Sequence, residues 1–338
     1  MDRVIGFGFS LWVVAAAVFA FMERSDPPMP PTEVRVEHLL MLDALHVGER
    51  LVAVGERGRI FVSEDAGQAW RAAVSPTEAM LTALARADAD GRTLVAVGHD
   101  SVILRSVDGG LTWRQHYADA DAEAPLLAVL FDERGRGFAV GAYGRFLVSD
   151  DGGQTWEVRA LEVTDPDGAD AAGLDGLGYD FHLNAIVEVS GRLFIAGEAG
   201  TLLRSDDGGE QWMTLDAPYE GSYFGAVVTA DESVLIFGMR GHVFRSDDAG
   251  ETWHELDSGT DASIFGGALL ADGRVVLVGQ NGLVLIAGRD GAALHALDVD
   301  SSRGFVAVRG GAGRDEVLLF GDEGVLAARI PPGFGSGS

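Results

Sequence analysis

The sequence has no cysteine and no lysine, and only 10 of its residues are proline. Without cysteine the chain has no disulfide framework, no thiolate metal site and no cysteine nucleophile. Past residue 22, no stretch shows the apolar spacing of an amphipathic helix, which excludes helical and α/β folds. These absences favour an all-β chain, in which few of the turns between strands contain proline.

Glycine and acidic residues are in excess. Of 338 residues, 47 are glycine, which indicates many tight turns, and 47% are hydrophobic, which is enough for a large core. Aspartate and glutamate outnumber arginine 52 to 25, which gives a formal net charge of −27. A chain this anionic repels phosphate backbones, and this excludes nucleic acid as a partner.

One long apolar run lies near the N-terminus. Residues Val4–Met22 are 19 uncharged residues, about 28 Å as a helix, which is close to the hydrocarbon thickness of a bilayer. The run predicts either an uncleaved membrane anchor, favoured by its length and aromatics, or a signal peptide cleaved after Val18-Phe19-Ala20. We expect residues 1–26 to be this anchor or signal, residues 27–32 a proline-rich spacer, and the remainder a periplasmic domain anchored at, or exported across, the inner membrane.

A repeat fills the rest of the chain. Seven copies begin with a glycine and are spaced 43, 43, 56, 41, 41 and 42 residues apart, at Gly55, Gly98, Gly141, Gly197, Gly238, Gly279 and Gly321. This is the length of a four-stranded propeller blade. In the third copy the strands LLAVLF, GFAVG, RFLVS and TWEVR alternate with turn residues. The sequence therefore predicts an all-β, seven-bladed β-propeller over residues 33–330.

The two ends of the repeat region and its one 56-residue interval also predict structural features. The seventh copy lacks a fourth strand, and the alternating segment Glu33–Leu40 is expected to supply it, closing the ring between the two termini. The insertion Val163–Asp180 is rich in aspartate and glycine and is expected to be a surface loop without a metal. Residues 331–338 are expected to be a disordered tail.

Five copies carry Ser-x-Asp-x-Gly-x-x-Trp where the third strand turns into the fourth. A carboxylate there accepts unpaired turn N–H groups, glycine supplies positive φ, and tryptophan packs on the adjacent blade. Because the five motifs lie in five different blades, they cannot form one active site. A structural role is therefore a better interpretation than a catalytic or calcium-binding one. The residues are Asp65, Asp108, Asp151, Asp207 and Asp248, with Trp70, Trp113, Trp156, Trp212 and Trp253.

These motifs resemble the Asp-box, or bacterial neuraminidase repeat. The seven glycine turns followed by this box are most similar to the photosystem II assembly and stability factor family, over essentially residues 33–330. The resemblance implies a non-enzymatic, exported, seven-bladed propeller without a cofactor. Photosynthetic members carry an arginine-rich face, whereas this chain is acidic, and this favours the non-photosynthetic branch that is associated with resistance-nodulation-division type transporters. A photosystem II assembly role is an alternative.

A partner is expected on the face formed by the loops that join second to third strands and one blade to the next. These loops differ in every copy and hold aromatic and arginine residues, which interfaces favour. The partner is expected to be an integral membrane protein complex, with a transporter favoured. Its predicted contacts are Arg57, His99, Tyr143, His182, Tyr219, Glu220, Tyr223, Phe224 and Arg240.

Catalysis has little support in the sequence. The histidines are scattered, and no metalloprotease, nucleophile-elbow or phosphate-cradling motif is present. The enzymatic alternative is a glycoside hydrolase that uses a pair of carboxylates at the channel mouth. Its candidates are Glu56, Asp100, Glu198, Asp322 and Glu323.

Overall fold

The computed structural model describes residues 36–164, 181–289, 291–331 and 334. Within them, seven sheets follow one another along the chain, and in each sheet consecutive strands pair antiparallel. The first strand of each sheet contacts the first strands of the preceding and following sheets, and the first strand of the seventh contacts that of the first. The chain is thus a seven-bladed propeller, as the repeat spacing predicted.

From the innermost strand outward, the blades are built as follows. Blade 1 has Met41–Val47, Arg50–Gly55, Ile60–Ser63 and Arg71–Ala72; blade 2 has Leu81–Arg86, Leu94–Gly98, Ile103–Ser106 and Arg114–Tyr117. Blade 3 has Leu126–Phe131, Gly137–Gly141, Phe146–Ser149 and Glu157–Val158; blade 4 has Leu183–Val189, Arg192–Gly197, Leu202–Ser205 and Trp212–Thr214. Blade 5 has Tyr223–Val228, Val234–Gly238, Val243–Ser246 and His254–Leu256; blade 6 has Ile264–Leu269, Val275–Gly279, Val284–Ala287 and Leu294–Ala296. Blade 7 has Phe305–Gly310, Glu316–Gly321 and Gly324–Arg329.

The only helical elements in the described residues are single 3₁₀ turns. Most of them lie between the second and third strands of a blade. They are Val36–His38, Glu56–Gly58, His99–Ser101, Ala120–Ala122, Ala142–Gly144, Met239–Gly241 and Gln280–Gly282.

The core lies between the blades. The second strand of each blade is almost wholly buried because it packs against neighbouring blades on both of its faces, and every residue of Leu94–Gly98 is buried. This explains why these strands read as continuous apolar runs instead of alternating. Apolar clusters then join one blade to the next, for example Val54 of blade 1 with Leu81 and Trp113 of blade 2.

The junction of blades 7 and 1 differs from the sequence prediction. Val36–His38 forms a 3₁₀ turn beside Gly324–Arg329, where a fourth strand was predicted; the remainder of the predicted strand up to residue 35 lies outside the described residues. The prediction is wrong for this segment because its backbone closes on itself, with Leu39 N–H donating to Val36 C=O at 3.3 Å. The junction is held instead at its inner side, by an ion pair of 2.7 Å between Arg309 and Asp43.

The insertion also begins differently from the prediction. Val163–Thr164 pairs in parallel with Trp212–Thr214 as a fifth strand of blade 4, so the loop prediction is wrong for these two residues. The rest of the insertion, the apolar run Val4–Met22, the spacer and most of the tail lie outside the described residues. Among the described residues no helix has the length and apolar character to cross a membrane.

Candidate partner-binding face

The seven loops between second and third strands are fixed by a contact that recurs in each blade. The first residue of each loop donates its N–H to the carbonyl that precedes the inner strand of the same blade, as Glu56 does to Leu40 at 3.1 Å and Met239 to Ser222 at 3.0 Å. The glycine before the loop is required there, because a Cβ on Gly98 would lie 2.0 Å from the carbonyl oxygen of Met80. The leading glycine of each repeat thus brings these loops and the loops between blades to one side, which we call the loop face.

The middle residue of six of these loops has a left-handed backbone although it is not glycine. Its φ is 54° in Arg57, 55° in Tyr143 and 57° in Arg240, and these three side chains are exposed. Asp100, Ala199 and Asn281 adopt the same conformation. The repeat therefore fixes the backbone and leaves the exposed side chain free to differ from blade to blade.

The predicted contacts Tyr143 and His182 lie together. Their ring centroids are 5.2 Å apart in an edge-to-face arrangement, and Tyr143 is 58% exposed. Phe181, which is 42% exposed, accepts a hydrogen bond on its carbonyl from Gly144 N–H at 3.0 Å. Glu198 faces His182 at 3.5 Å. Blades 3 and 4 thus present an exposed aromatic cluster on the loop face, and Phe181 was missing from the predicted contacts.

Tyr223 is a wrong prediction as a partner contact. It is fully buried, and its hydroxyl donates to Tyr219 C=O at 2.9 Å and accepts from Tyr219 N–H at 3.1 Å. Burial raises the pKa of this hydroxyl, because the charged form would lose its hydration. Tyr223 therefore fixes the loop before blade 5. Tyr219 is half-buried and packs on His242 in a tilted arrangement with ring centroids 4.2 Å apart, while Glu220 is exposed.

Phe224 belongs to a feature that the sequence reading missed. The register shifts at the second residue of all seven inner strands, which is a β-bulge, and turns the bulged residue toward the channel. The bulged residues are all half-buried and line a cavity of about 380 Å³ in the channel, here called the central cavity. They are Leu42, Thr82, Leu127, Asn184, Phe224, Phe265 and Val306.

The polar groups of the central cavity bond to the protein itself. Asp43 pairs with Arg309, and it accepts the N–H groups of Leu84 and Ala44 at 2.8 Å each. Burial raises the pKa of Asp43, although Arg309 acts in the opposite direction. Asn184 Nδ2 donates to Tyr223 C=O at 2.8 Å. The cavity therefore offers mainly apolar surface to a ligand.

The Ser-x-Asp-x-Gly-x-x-Trp turns, here called motif turns, lie at the opposite ends of the strands. In blade 3, Asp151 Oδ1 accepts the N–H groups of Gln154 and Thr155 at 2.9 Å, and its Oδ2 accepts the Thr155 hydroxyl at 2.7 Å. Burial would raise the pKa of Asp151, but these bonds and that from Ser149 outweigh it and hold the pKa below its ordinary value. The pKa is lowered likewise in Asp65, Asp108, Asp207 and Asp248.

Motif turns also accept a hydrogen bond from the preceding blade. The residue after the aspartate turns its carbonyl toward an arginine: Arg105 donates to Gly152 at 2.9 Å, and Arg136 to Gly208 at 2.8 Å. The same bond joins Arg50 to Gly109 at 3.0 Å and Arg204 to Ala249 at 2.8 Å. Four consecutive junctions are thus cross-linked by arginine. No local sequence pattern indicates these bonds, since donor and acceptor lie 45 to 72 residues apart.

The candidate carboxylates of the enzymatic alternative are distributed over several blades. No group of three or more metal-ligating side chains occurs in residues 36–164, 181–289, 291–331 and 334. The carboxylates of the glycoside hydrolase alternative belong to blades 1, 2, 4 and 7. His99 is exposed on blade 2, apart from the aromatic cluster of blades 3 and 4.

Comparisons with known proteins agree with this architecture. The family model described as "Photosynthesis system II assembly factor YCF48" matches residues 117–294, more than half of the chain. The solved structure "YCF48 bound to D1 peptide" is 18% identical with a TM-score of 0.66, covering 87% of this chain and 94% of that one. "YCF48 from Cyanidioschyzon merolae" is 16% identical with a TM-score of 0.65, covering 88% and 98%. An ancestral GH74 enzyme is 9% identical with a TM-score of 0.68, covering 88% and 45%.

No curated protein matches the chain. The identities to the solved structures are low, so these likenesses show the fold alone.

Proposed function

This chain belongs to the photosynthesis system II assembly factor YCF48 family, and we propose that it is a non-enzymatic accessory or assembly propeller that docks on an inner-membrane protein complex. The favoured partner is a resistance-nodulation-division type transporter, and the favoured location is the periplasm, with residues 4–22 as the membrane anchor. In this proposal the motif turns are Asp-boxes with a purely structural role. A solved YCF48 structure has a D1 peptide bound, which supports a protein segment as the ligand.

The observation that carries the proposal is the contrast between the two faces. On the loop face, a repeated backbone hydrogen bond holds loops whose exposed side chains differ in each blade, among them Arg57, Tyr143 and Arg240. On the opposite face, the motif turns repeat the same residues and use their carboxylates internally. An asymmetric partner is recognised by side chains that differ, and arginine and tyrosine are enriched among the residues that dominate binding energy.

A photosystem II assembly role is the second candidate, because the matched family is described by that role. The acidic composition of this chain, with its formal net charge of −27, favours the transporter. The two candidates name different membrane proteins, so identification of the bound protein separates them.

Affinity purification of the tagged full chain from native membranes tests the proposal. We expect a resistance-nodulation-division type transporter subunit to be recovered with it and identified by mass spectrometry. The double variant Tyr143→Ala, Arg240→Ala should lower this recovery about tenfold or more, as loss of interface anchors does. Val107→Ala is the matched control, since Val107 is 61% exposed but lies in a motif turn.

Recovery of the chain without an integral membrane protein would contradict the proposal. Equal loss of the partner in the Val107→Ala control would contradict the choice of face. Recovery of a photosystem II subunit would support the second candidate instead.

A further inference from the structure

We infer that the central cavity receives one large apolar side chain from a basic segment of the partner. This inference rests on the proposed function, in which a protein docks on the loop face, and it names the chemistry of the segment that enters. It follows from the shape and lining of the cavity, from its position in the loop face, and from the charges around its mouth.

The cavity has the size and the lining of an anchor pocket. Its volume of about 380 Å³ lies at the lower end of the range for ligand pockets, which suits one large side chain and the backbone that carries it. Phe224 and Phe265 of neighbouring blades lie side by side there, with ring centroids 5.4 Å apart. Both residues are only half-buried, so an apolar group placed against them would remove apolar surface from water.

The polar side chains Thr82, Asp43 and Arg309 in the cavity lining already have partners within the protein. Thr82 Oγ1 donates to Leu126 C=O at 2.6 Å, and Asp43 and Arg309 neutralise each other. A charged ligand group would lose its hydration in this cavity without gaining a free partner of opposite charge, and that loss is costly. An aromatic or long aliphatic side chain is the ligand that fits.

The mouth of the cavity lies in the loop face. In each blade one carbonyl accepts the hydrogen bond from the loop between the second and third strands, and the bulged residue lies two positions after that carbonyl. Leu42 lies two positions after Leu40 in blade 1, and Phe224 two positions after Ser222 in blade 5. The first residues of those loops are thereby held next to the cavity lining. Glu56 is held in this way in blade 1, Glu198 in blade 4 and Asp322 in blade 7.

The loop face is strongly acidic. The seven loops between second and third strands and the five fully described loops between blades (73–80, 118–125, 215–222, 257–263 and 297–304) contain fifteen carboxylates and only five arginines, Arg57, Arg59, Arg145, Arg240 and Arg303. The carboxylates are Glu56, Glu78, Asp100, Asp119, Asp121, Glu123, Glu198, Asp216, Glu220, Asp257, Asp261, Asp298, Asp300, Asp322 and Glu323.

Few of these carboxylates are neutralised by the chain itself. Among the described residues, only Asp119, Glu198 and Glu323 of this set form an ion pair, with Arg145, His182 and Arg303 respectively. On the opposite face arginines neutralise several carboxylates: Arg136 pairs with Asp150 and Glu210, and Arg245 with Asp231 and Asp247. Twelve carboxylates without an ion-pair partner among the described residues thus remain on the loop face around the mouth of the cavity, and they favour a cationic partner segment.

Blocked pentapeptides test the inference directly on the full chain. The first probe has one phenylalanine flanked by two arginines on each side; the second replaces the phenylalanine by alanine, and the third replaces the arginines by glutamates. We expect the first peptide to bind at least about tenfold more tightly than the other two. Its affinity should fall when the salt concentration is raised, because exposed charges are then screened.

Variants of the protein locate the site. Leu127→Trp fills the cavity and Phe265→Ala removes one of its walls, and each should weaken binding of the first peptide about tenfold. The double variant Glu56→Gln, Asp100→Asn should weaken it several-fold, whereas the matched double variant Glu49→Gln, Asp90→Asn on the opposite face should not. Thermal unfolding of each variant confirms that it is folded. Leu127→Trp and Phe265→Ala change the cavity in opposite directions, so weaker binding in both locates the peptide in the cavity.

Equal affinity for the phenylalanine and alanine peptides, or tighter binding of the glutamate peptide, would overturn the inference. Transporter recovery that is unchanged by Leu127→Trp would also overturn it, while leaving the proposed function intact. Conversely, if the peptides behave as expected but the chain is recovered from membranes alone, the proposed function fails and the cavity assignment stands.

Discussion

Tyr223→Phe removes one oxygen atom from the fully buried hydroxyl that binds both backbone groups of Tyr219. Each unpaired buried group costs about 1–3 kcal/mol, but the half-buried Tyr219 leaves room for water to reach one of the two. We expect the free energy of unfolding to fall by about 2 kcal/mol. Tyr223→Ala also deletes a ring that packs on Phe244 with centroids 6.3 Å apart, and it should cost about 3–5 kcal/mol.

Urea unfolding followed by tryptophan fluorescence measures both changes. Tyr143→Phe is the matched control, because the 58% exposed Tyr143 loses the same atom on the surface, and its effect should stay within about 0.5 kcal/mol. Recovery of the membrane partner should be unchanged for Tyr223→Phe. An unfolding midpoint equal to that of the unsubstituted protein would refute the assignment of Tyr223 to the core.

Three further predictions concern stability. Asp151→Ala should lower the free energy of unfolding by about 1–3 kcal/mol, because the turn N–H groups lose their acceptor; an unchanged urea midpoint would contradict this. The pKa of Asp248 lies below its ordinary value in the folded protein. The ionised carboxylate therefore stabilises the fold fully at neutral pH, and this stabilisation is lost as the pH falls. Asp248→Asn should weaken the dependence of the urea midpoint on pH below about pH 5. Arg136→Ala should cost about 1–3 kcal/mol by leaving Gly208 C=O without its donor, and Arg114→Ala, at an exposed position, should cost less in the same urea assay.

The sequence was sufficient for the blades because glycine spacing and strand alternation are local signals. In the third copy, the predicted segments LLAVLF and GFAVG coincide with the strands Leu126–Phe131 and Gly137–Gly141. The exposed positions of Arg57, Tyr143 and Arg240 followed from the loop pattern for the same reason.

The rest depends on pairing register and on distant contacts. Tyr223 and Phe224 are neighbours in one aromatic stretch, and only the bulge decides that Tyr223 enters the core and Phe224 the central cavity. A shift of one residue exchanges the two faces of a strand, and composition does not encode such a shift. The contact between Arg309 and Asp43 joins residues that are 266 positions apart, so no local pattern announces it.

The uneven junctions decide where the ring opens first under thermal motion. From blade 1 to blade 5 every junction has an arginine bond to a motif turn, whereas blades 7 and 1 meet through the inner pair Arg309–Asp43, a hydrogen bond of 2.8 Å between His46 Nε2 and Gly310 C=O, and the edge-to-face rings of Trp70 and Phe320. Local openings are drawn from the least stabilised part of a fold. Amide protons of Gly324–Arg329 should therefore exchange with solvent before those of the third strands elsewhere. The place where the two ends of the described chain meet is therefore the expected starting point of local unfolding in this propeller.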